Sequence, residues 1–373
     1  MIQATVKRGV AALALGLAMA FSFSASMSSH RAAASPCGQE AATQPPKQTM
    51  EQKYKNIQVL KGLPASQMRP MMNYISASLG VNCAFCHVRT GDRIEFEKDD
   101  IDHKQIARRM IQMTMDINKD SFHGRAEVSC YTCHRGAERI VSAPPLPRTA
   151  PVETPRSNEP RPTPQQILAK YAEAVGAKDA VEKIKTSVIK GVSVSANGQS
   201  YPLEIQFASP DKYSMSVTLP QGASAQKLNG ASGWIKNARE DRAMDDVDIA
   251  RAKSLAWSLE PLQIKEPYPQ MNFGGTEKID GRDTQILRMA LPDKRRVAFY
   301  FDKETGLLTR RVVSTETPIG VDSEQPDYED YSEVDGVKVA HTIRTSYLDN
   351  VYSSTRKFTE IKHNAPVDEA QFK

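Results

Sequence analysis

Two pentapeptides constrain this chain more than any other feature: Cys83-Ala84-Phe85-Cys86-His87 and Cys130-Tyr131-Thr132-Cys133-His134. Two thiols three positions apart lie on one turn of backbone, so both can reach the two vinyl groups of a single porphyrin. The histidine that follows brings an imidazole to the iron. The spacing is the attachment motif of a c-type haem, and its repetition stitches a large planar group to the chain at two points. A lone CxxC would also suit a dithiol redox pair or half a zinc site. Two copies, each followed directly by His, favour haem over both.

The rest of the cysteine usage agrees. Of five cysteines four belong to the motifs, Cys37 stands alone, and the C-terminal half has none, which is no disulfide scaffold. Hydrophobic residues make up 40% and charged residues 25%, the composition of a folded soluble chain. The net charge of +5 is spread without a Lys/Arg block, so nothing suggests nucleic-acid binding and no nucleic-acid partner is expected.

Lys7 and Arg8 followed by the apolar run Gly9 to Phe23 read as an export signal covering 1–34, with cleavage near Ala25 or in Ala32-Ala33-Ala34. An uncleaved anchor is the alternative, and Pro36 before Cys37 argues against a lipoprotein signal. A bacterial chain of this kind is expected in the periplasm or otherwise exported, with membrane association as a variant. Haem attachment, which happens outside the cytoplasmic membrane, agrees.

A polar leader (35–52) precedes a region, 53–142, expected to be mostly α-helical. Met68, Met71, Met72, Ile75 and Leu79 recur at helical spacing, predicting a helix over Ser66 to Leu79 stopped by Gly80. Gly91 to Asp100 reads as a solvated acidic loop. Asp102 and Gln105 suggest a capping box opening a second helix that ends near Asn118, with Ile106, Met110, Met113 and Ile117 on one apolar face. Helix, connection and CxxCH thus occur twice.

From Ala143 to Pro164 eight prolines occur among Arg, Thr, Glu and Ser, an extended linker of polyproline character. Beyond it, 165–373 starts with helical patterns to Val175 and over Ala180 to Ile184, then turns to period-two strands. These are Thr186–Ser195, Tyr201–Phe207, Tyr213–Leu219, Ala225–Leu228, Gly233–Asn237, Gly274–Ile279, Thr284–Ala290, Arg296–Asp302, Leu307–Glu316, Tyr328–Val334, Val337–Tyr347 and Ser353–Lys362, with a helix over Asp245 to Leu259. Ten or so short strands joined by Asn197-Gly198, Asp280-Gly281 and Asp335-Gly336 turns predict a large, curved antiparallel sheet of half-barrel form. The fold class expected is therefore multidomain: a mostly α dihaem cytochrome region followed by a β-rich α+β half-barrel.

Candidate site residues follow from the motifs. Cys83, Cys86, Cys130 and Cys133 are the thioether donors, and His87 and His134 the proximal iron ligands, each with its second ring nitrogen held by a carbonyl or carboxylate. For the opposite face of each iron the Met-bearing helices are the natural donors, drawn from Met68, Met71, Met72, Met110, Met113 and Met115; periodicity leaves Met110 and Met113 unseparated. His103 and His123 are bis-His alternatives, and Arg135 is placed to pair with a propionate. Trp234, Trp257 and Phe273 read as core or cavity lining, and His341 and His363 have no ligand-spaced neighbours.

Met71-Met72-Asn73-Tyr74-Ile75-Ser76-Ala77-Ser78-Leu79-Gly80-Val81-Asn82, running into the first motif, resembles a haem segment of the photosynthetic reaction centre cytochrome c subunit family. Met110-Ile111-Gln112-Met113-Thr114-Met115-Asp116-Ile117-Asn118 with the second motif and Arg135-Gly136 resembles another. The likeness spans about Tyr54 to Arg139. It implies two His/Met-ligated haem c groups passing electrons to and from redox-partner proteins, with axial methionines at Met72 and Met110 and with Met71 and Met113 as alternatives. That family's subunit carries four haems, and the two motifs here point to a stand-alone dihaem carrier. The C-terminal region resembles, more loosely, the LolA-like lipoprotein carriers, through Leu168-Ala169-Lys170-Tyr171, Phe301-Asp302-Lys303-Glu304-Thr305-Gly306-Leu307 and Tyr331-Ser332-Glu333-Val334-Asp335-Gly336-Val337. That likeness implies lipid or a protein partner on the concave face. The rival classes are a peroxidase-like haem enzyme with one open iron, and a lipid-binding half-barrel with an accessory cytochrome.

Overall fold

The structure is a computed structural model describing residues 48–91, 93–143, 160–176, 178–237, 241–256, 271–291, 295–348 and 353–372. The export signal, Cys37, most of the proline-rich linker and Trp257 lie outside the described residues. All described residues fall within a single compact unit, 47–373.

Among the described residues the N-terminal region carries four α-helices: α1 (Met50–Lys53), α2 (Met68–Leu79), α3 (Asp102–Phe122) and α4 (Cys130–His134). Ordered structure begins before Tyr54, because Met50 is fully buried and Thr49 bridges to Pro64. α2 follows a 3-10 turn over Ala65–Gln67, which absorbs Pro70 in the first helical turn, and ends at Gly80 in the left-handed region.

The stretch after the first motif is not merely a solvated loop. Val88–Thr90 (β1) and Arg93–Glu95 (β2) form a hairpin, and Asp99 is an anchor for α3. Nor does Asp102 cap α3. Ile101 is the N-cap without a side-chain bond, and Asp102 is the first helical residue, where its charge still favours the helix start. The helix also runs past Asn118 to Phe122, ending at His123 with φ 56°.

Beyond the linker, α5 (Pro164–Val175) opens on a capping box between Thr163 and Gln166 with Pro164 in its first turn. α6 (Lys178–Lys183) leads into the strands: β3 (Thr186–Ser195), β4 (Ser200–Ala208), β5 (Lys212–Leu219), β6 (Gly222–Asn229), β7 (Ser232–Lys236) and β8 (Asp241–Ala243). After α7 (Asp246–Ala256) come β9 (Asn272–Ile279), β10 (Arg282–Ala290), β11 (Arg296–Asp302), β12 (Leu308–Thr317), β13 (Gly320–Val334), β14 (Val337–Tyr347) and β15 (Ser354–His363). They make one antiparallel sheet in the order β8-β7-β6-β5-β4-β3-β15-β14-β13-β12-β11-β10-β9. Two meanders therefore meet at its centre, where β3, the sheet's first strand in sequence, pairs with β15, its last. Among the described residues β8 and β9 end the sheet without pairing to each other, so it is a half-barrel and not a closed one.

Two apolar cores form. In the larger, Ile167, Tyr171 and Val175 of α5 meet Leu203, Tyr213 and Leu228 from one wing of the sheet and Leu287, Phe299, Phe301 and Leu308 from the other. Wings many strands apart share one core because the sheet curls around the helix; each such side chain contributes roughly 1.5–3 kcal/mol of apolar burial. Phe273 packs at its border, whereas Trp234 is not core: it is 45% exposed and its indole donates to Asp241 Oδ1 at 2.7 Å. The smaller core joins Met50, Leu60, Met71 and Ile111 with Ile319, the last from the turn between β12 and β13.

Candidate haem-binding site

Each motif is a single helical turn. In the first, the amide of His87 donates to the carbonyl of Cys83 at 3.0 Å, and Asn82 accepts from the Ala84 amide at 3.0 Å to start the turn. In the second, the motif is α4 itself, opened by a capping box between Ser129 and Thr132 and closed by Arg135 in the left-handed region. All four thiols are free. Burial raises the Cys86 thiol above its ordinary pKa, with Cys83 adding to it, and pushes Cys130 up to about 11, with Cys133 adding. Among the described residues no three or more His, Cys, Asp or Glu side chains converge as a metal site, so the two motifs do not combine into one four-donor centre.

The proximal histidines are held differently. Nδ1 of His134 lies 3.1 Å from the Ala137 carbonyl and 3.0 Å from that of Glu138, which fixes the ring and leaves Nε2 for a metal. Nδ1 of His87 is buried without a hydrogen-bond partner, and the ring meets Phe96 edge-on with centroids 5.1 Å apart. Burial lowers the His87 pKa, Lys104 and Arg108 lower it further, and Phe96 opposes them. That ring is held neutral, the form that ligates.

α3 is packed inside out relative to its apolar pattern. Its buried face is Lys104, Arg108, Ile111, Thr114 and Asn118. Lys104 donates to the carbonyls of Phe96 and Lys98 at 2.9 and 2.6 Å and pairs with Asp99 at 2.8 Å. Arg108 pairs with the same carboxylate at 2.9 Å and donates to the Asn56 carbonyl at 3.2 Å. These bonds hold the Asp99 carboxyl well below the usual carboxylate range, Arg108 contributing most and Lys104 next. The periodic apolar residues turn the other way: Ile106, Met110 and Met113 are 43%, 40% and 45% exposed. On the same helix a shallow, open and mixed polar surface is made by Arg109, Gln112, Met113, Asp116, Ile117, Asp120 and Ser121. An exposed apolar helix stripe marks a surface that a ligand, a membrane or a partner protein covers.

The other candidates fall apart on burial. Met71 is 0% exposed in the smaller core, Met72 is half-buried beside it, and Met68 and Met115 pack at its rim. His103 stacks on Phe85 with ring centroids 4.1 Å apart, its Nδ1 3.1 Å from the Phe85 carbonyl, and so braces the first motif. His123 is the exposed cap of α3, and Arg135 is exposed beside the second motif. His341 and His363 each meet a serine of the neighbouring strand, Ser332 and Ser187, and belong to the sheet. Free paired thiols, single-turn geometry, a neutral histidine and an outward apolar face together fit haem c.

Residues 3–158 match the family model of the photosynthetic reaction centre cytochrome C subunit. The photosynthetic reaction center cytochrome c subunit of Roseobacter denitrificans is 38% identical over 92 residues, covering 22% of this chain and 24% of that protein. Cytochrome c-554 of Chloroflexus aurantiacus is 33% identical over 107 residues, covering 24% and 25%. The reaction center cytochrome c subunit of Thermochromatium tepidum is 34% identical over 126 residues, covering 31% and 28%. The chain thus spans only about a quarter of the length of these relatives. Among solved structures, a LolA superfamily protein from Nitrosomonas europaea aligns with a TM-score of 0.39 at 14% identity, covering 57% of this chain and 97% of that one. A putative outer membrane lipoprotein-sorting protein domain from Vibrio parahaemolyticus aligns with a TM-score of 0.38 at 13% identity, covering 55% and 97%. Among the described residues no helix is long and apolar enough to cross a membrane.

Proposed function

We propose that this chain is an exported electron carrier holding two covalently attached c-type haems. The observation that carries the reading is the outward apolar face of α3, Ile106, Met110 and Met113, in a region that also presents two single-turn CxxCH motifs. The cytochrome relatives matched over the same stretch support it.

Cys83 and Cys86 would hold one group and Cys130 and Cys133 the other, through thioethers. His87 and His134 would supply nitrogen ligands. Met72 and Met110 would supply thioether ligands, with Met113 as the alternative to Met110; Met71 is the weaker alternative to Met72, because its thioether is committed to the core. Haem c, when bound, supplies a reversible one-electron iron couple. The protein's part is to anchor, orient and partly dehydrate it. The Ala137 and Glu138 carbonyls aim His134, burial and the nearby Lys104 and Arg108 keep His87 unprotonated, and α3 offers an apolar wall. A methionine thioether opposite histidine raises the potential towards that of a carrier. Periplasmic redox proteins, or a membrane complex that contains them, are the partners this chemistry serves.

Two measurements on the exported full chain test the reading. Its mass should exceed that of the polypeptide by two haem additions, and acidified solvent should extract no colour. A redox-titrated optical spectrum should show low-spin methionine-ligated haem that binds no carbon monoxide when reduced. Extractable colour overturns covalent attachment, and carbon monoxide binding overturns the carrier in favour of a haem enzyme.

A further inference from the structure

The turn between β12 and β13, Thr317-Pro318-Ile319-Gly320, belongs in sequence to the sheet, yet its side chains finish the core of the haem-motif region. Thr317 closes the turn by donating to the Gly320 carbonyl at 2.8 Å. Ile319 is 0% exposed, and its core partners Met50, Leu60, Met71 and Ile111 all precede the proline-rich stretch. Gly320, at φ 149°, lies directly against the Tyr74 ring of α2, which leaves no room for a side chain.

The backbone of the same turn reaches the second motif. The first amides of any helix lack partners within it, and α4 begins at Cys130. The Cys130 amide donates to the Ile319 carbonyl at 3.4 Å. Asn118 Nδ2 donates to the Pro318 carbonyl at 3.4 Å and to the Val128 carbonyl at 2.7 Å, while its Oδ1 accepts from the Val128 amide at 2.9 Å. The turn therefore touches both the residue that starts the second motif and the asparagine that grips the approach to it. The first motif is braced instead from within its own region, by His103 on Phe85.

We infer that Ile319 is a positioning residue for the second haem: the β12–β13 turn sets the attitude of the Cys130–His134 helix, so the sheet is a working part of the electron carrier at this iron. The inference rests on the two-haem reading.

The test is redox titration of the full-length, haem-loaded protein carrying Ile319→Ala or Ile319→Val. Ile319→Ala should shift the redox wave of the second haem, a several-fold change in its reduction equilibrium constant, by more than it shifts the wave of the first, whose preceding helix also packs on Ile319 through Met71; Ile319→Val should shift it far less. A second wave that stays, or that moves no more than the first, overturns the inference. In the unsubstituted protein, the Cys130 amide should exchange with solvent at least about 100-fold more slowly than an open amide. Exchange at the open rate also overturns the inference, whether or not the alanine variant folds. Haem mass on that sample separates the two readings. Two haems with unsplit behaviour sink only the inference, whereas fewer than two sink the reading beneath it.

Discussion

Gly80 and Gly136 meet backbone to backbone. The amide of Gly136 donates to the Ser78 carbonyl at 2.9 Å, and a methyl group on Gly80 would overlap the Gly136 carbonyl oxygen. Gly80 also adopts φ 67°. The end of the helix before the first motif is thereby docked on the end of the second. Gly80→Ala should strain the cap and part the contact, lowering stability by at least about 1 kcal/mol. Denaturant unfolding checks this, and an unchanged midpoint would show the contact to be dispensable.

Met71 and Met72 are neighbours with opposed fates. Met71→Ala should cost about 2–5 kcal/mol by opening a cavity in the smaller core while leaving the spin state of both haems alone. Met72→Ala should cost less stability and turn one haem high-spin and open to carbon monoxide. Optical spectra with and without carbon monoxide, beside thermal melts, separate the two. The reverse pattern would move the ligand to Met71.

Asp99 serves two buried cations, Lys104 and Arg108. Asp99→Ala should lower stability by about 1–3 kcal/mol at neutral pH, because both cations keep their burial and lose their counter-charge. Since the folded carboxyl titrates below its ordinary range, its contribution is complete above the unfolded pKa near 4 and fades as pH falls below it. The gap between wild-type and variant melts should be full at pH 7, narrower at pH 3, and close only at still lower pH. A constant gap would reject the ion pair as the cause.

Asp322 behaves in the opposite sense. Burial raises its carboxyl from 3.8 to about 6, outweighing Arg251 and Arg69. The folded state then binds this proton more tightly than the unfolded one, so a penalty is absent below about pH 4 and complete above about pH 6. Asp322→Asn should stabilise the protein at pH 7.5 by of order 1 kcal/mol after screening, with little effect at pH 4. Thermal melts at the two pH values decide it. Destabilisation at pH 7.5 would show that the arginines dominate.

The strands were legible wherever alternation was undisturbed. β3 and β11 stand at the expected residues because Val and Ile or Phe alternate with polar side chains there. The first half of β13 was not legible, because Pro326, Asp322, Glu324 and Asp327 look like loop. Glu324 and Asp327 are paired inside the fold, with Arg251 and with Arg310. The period of α3 was legible but the direction of its face was not. Spacing shows that a helix has an apolar side, yet it cannot show that this side faces outward while Lys104 and Arg108 turn inward. Asn118 looked like a helix stop because its side chain competes for backbone; here that amide reaches Val128 and the helix continues. Ile319 left no signal at all, since its partners are more than 200 residues away in the chain.

The central seam between β3 and β15 bears on how the protein is made. Synthesis proceeds from one wing to the other, and only the arrival of Ser354–His363 can zip the halves together. A product cut short before that segment would expose two raw strand borders at the middle of the sheet, where new partners are most easily recruited. Joining the halves is a long-range closure and therefore a slow one. The last strand made is the keystone.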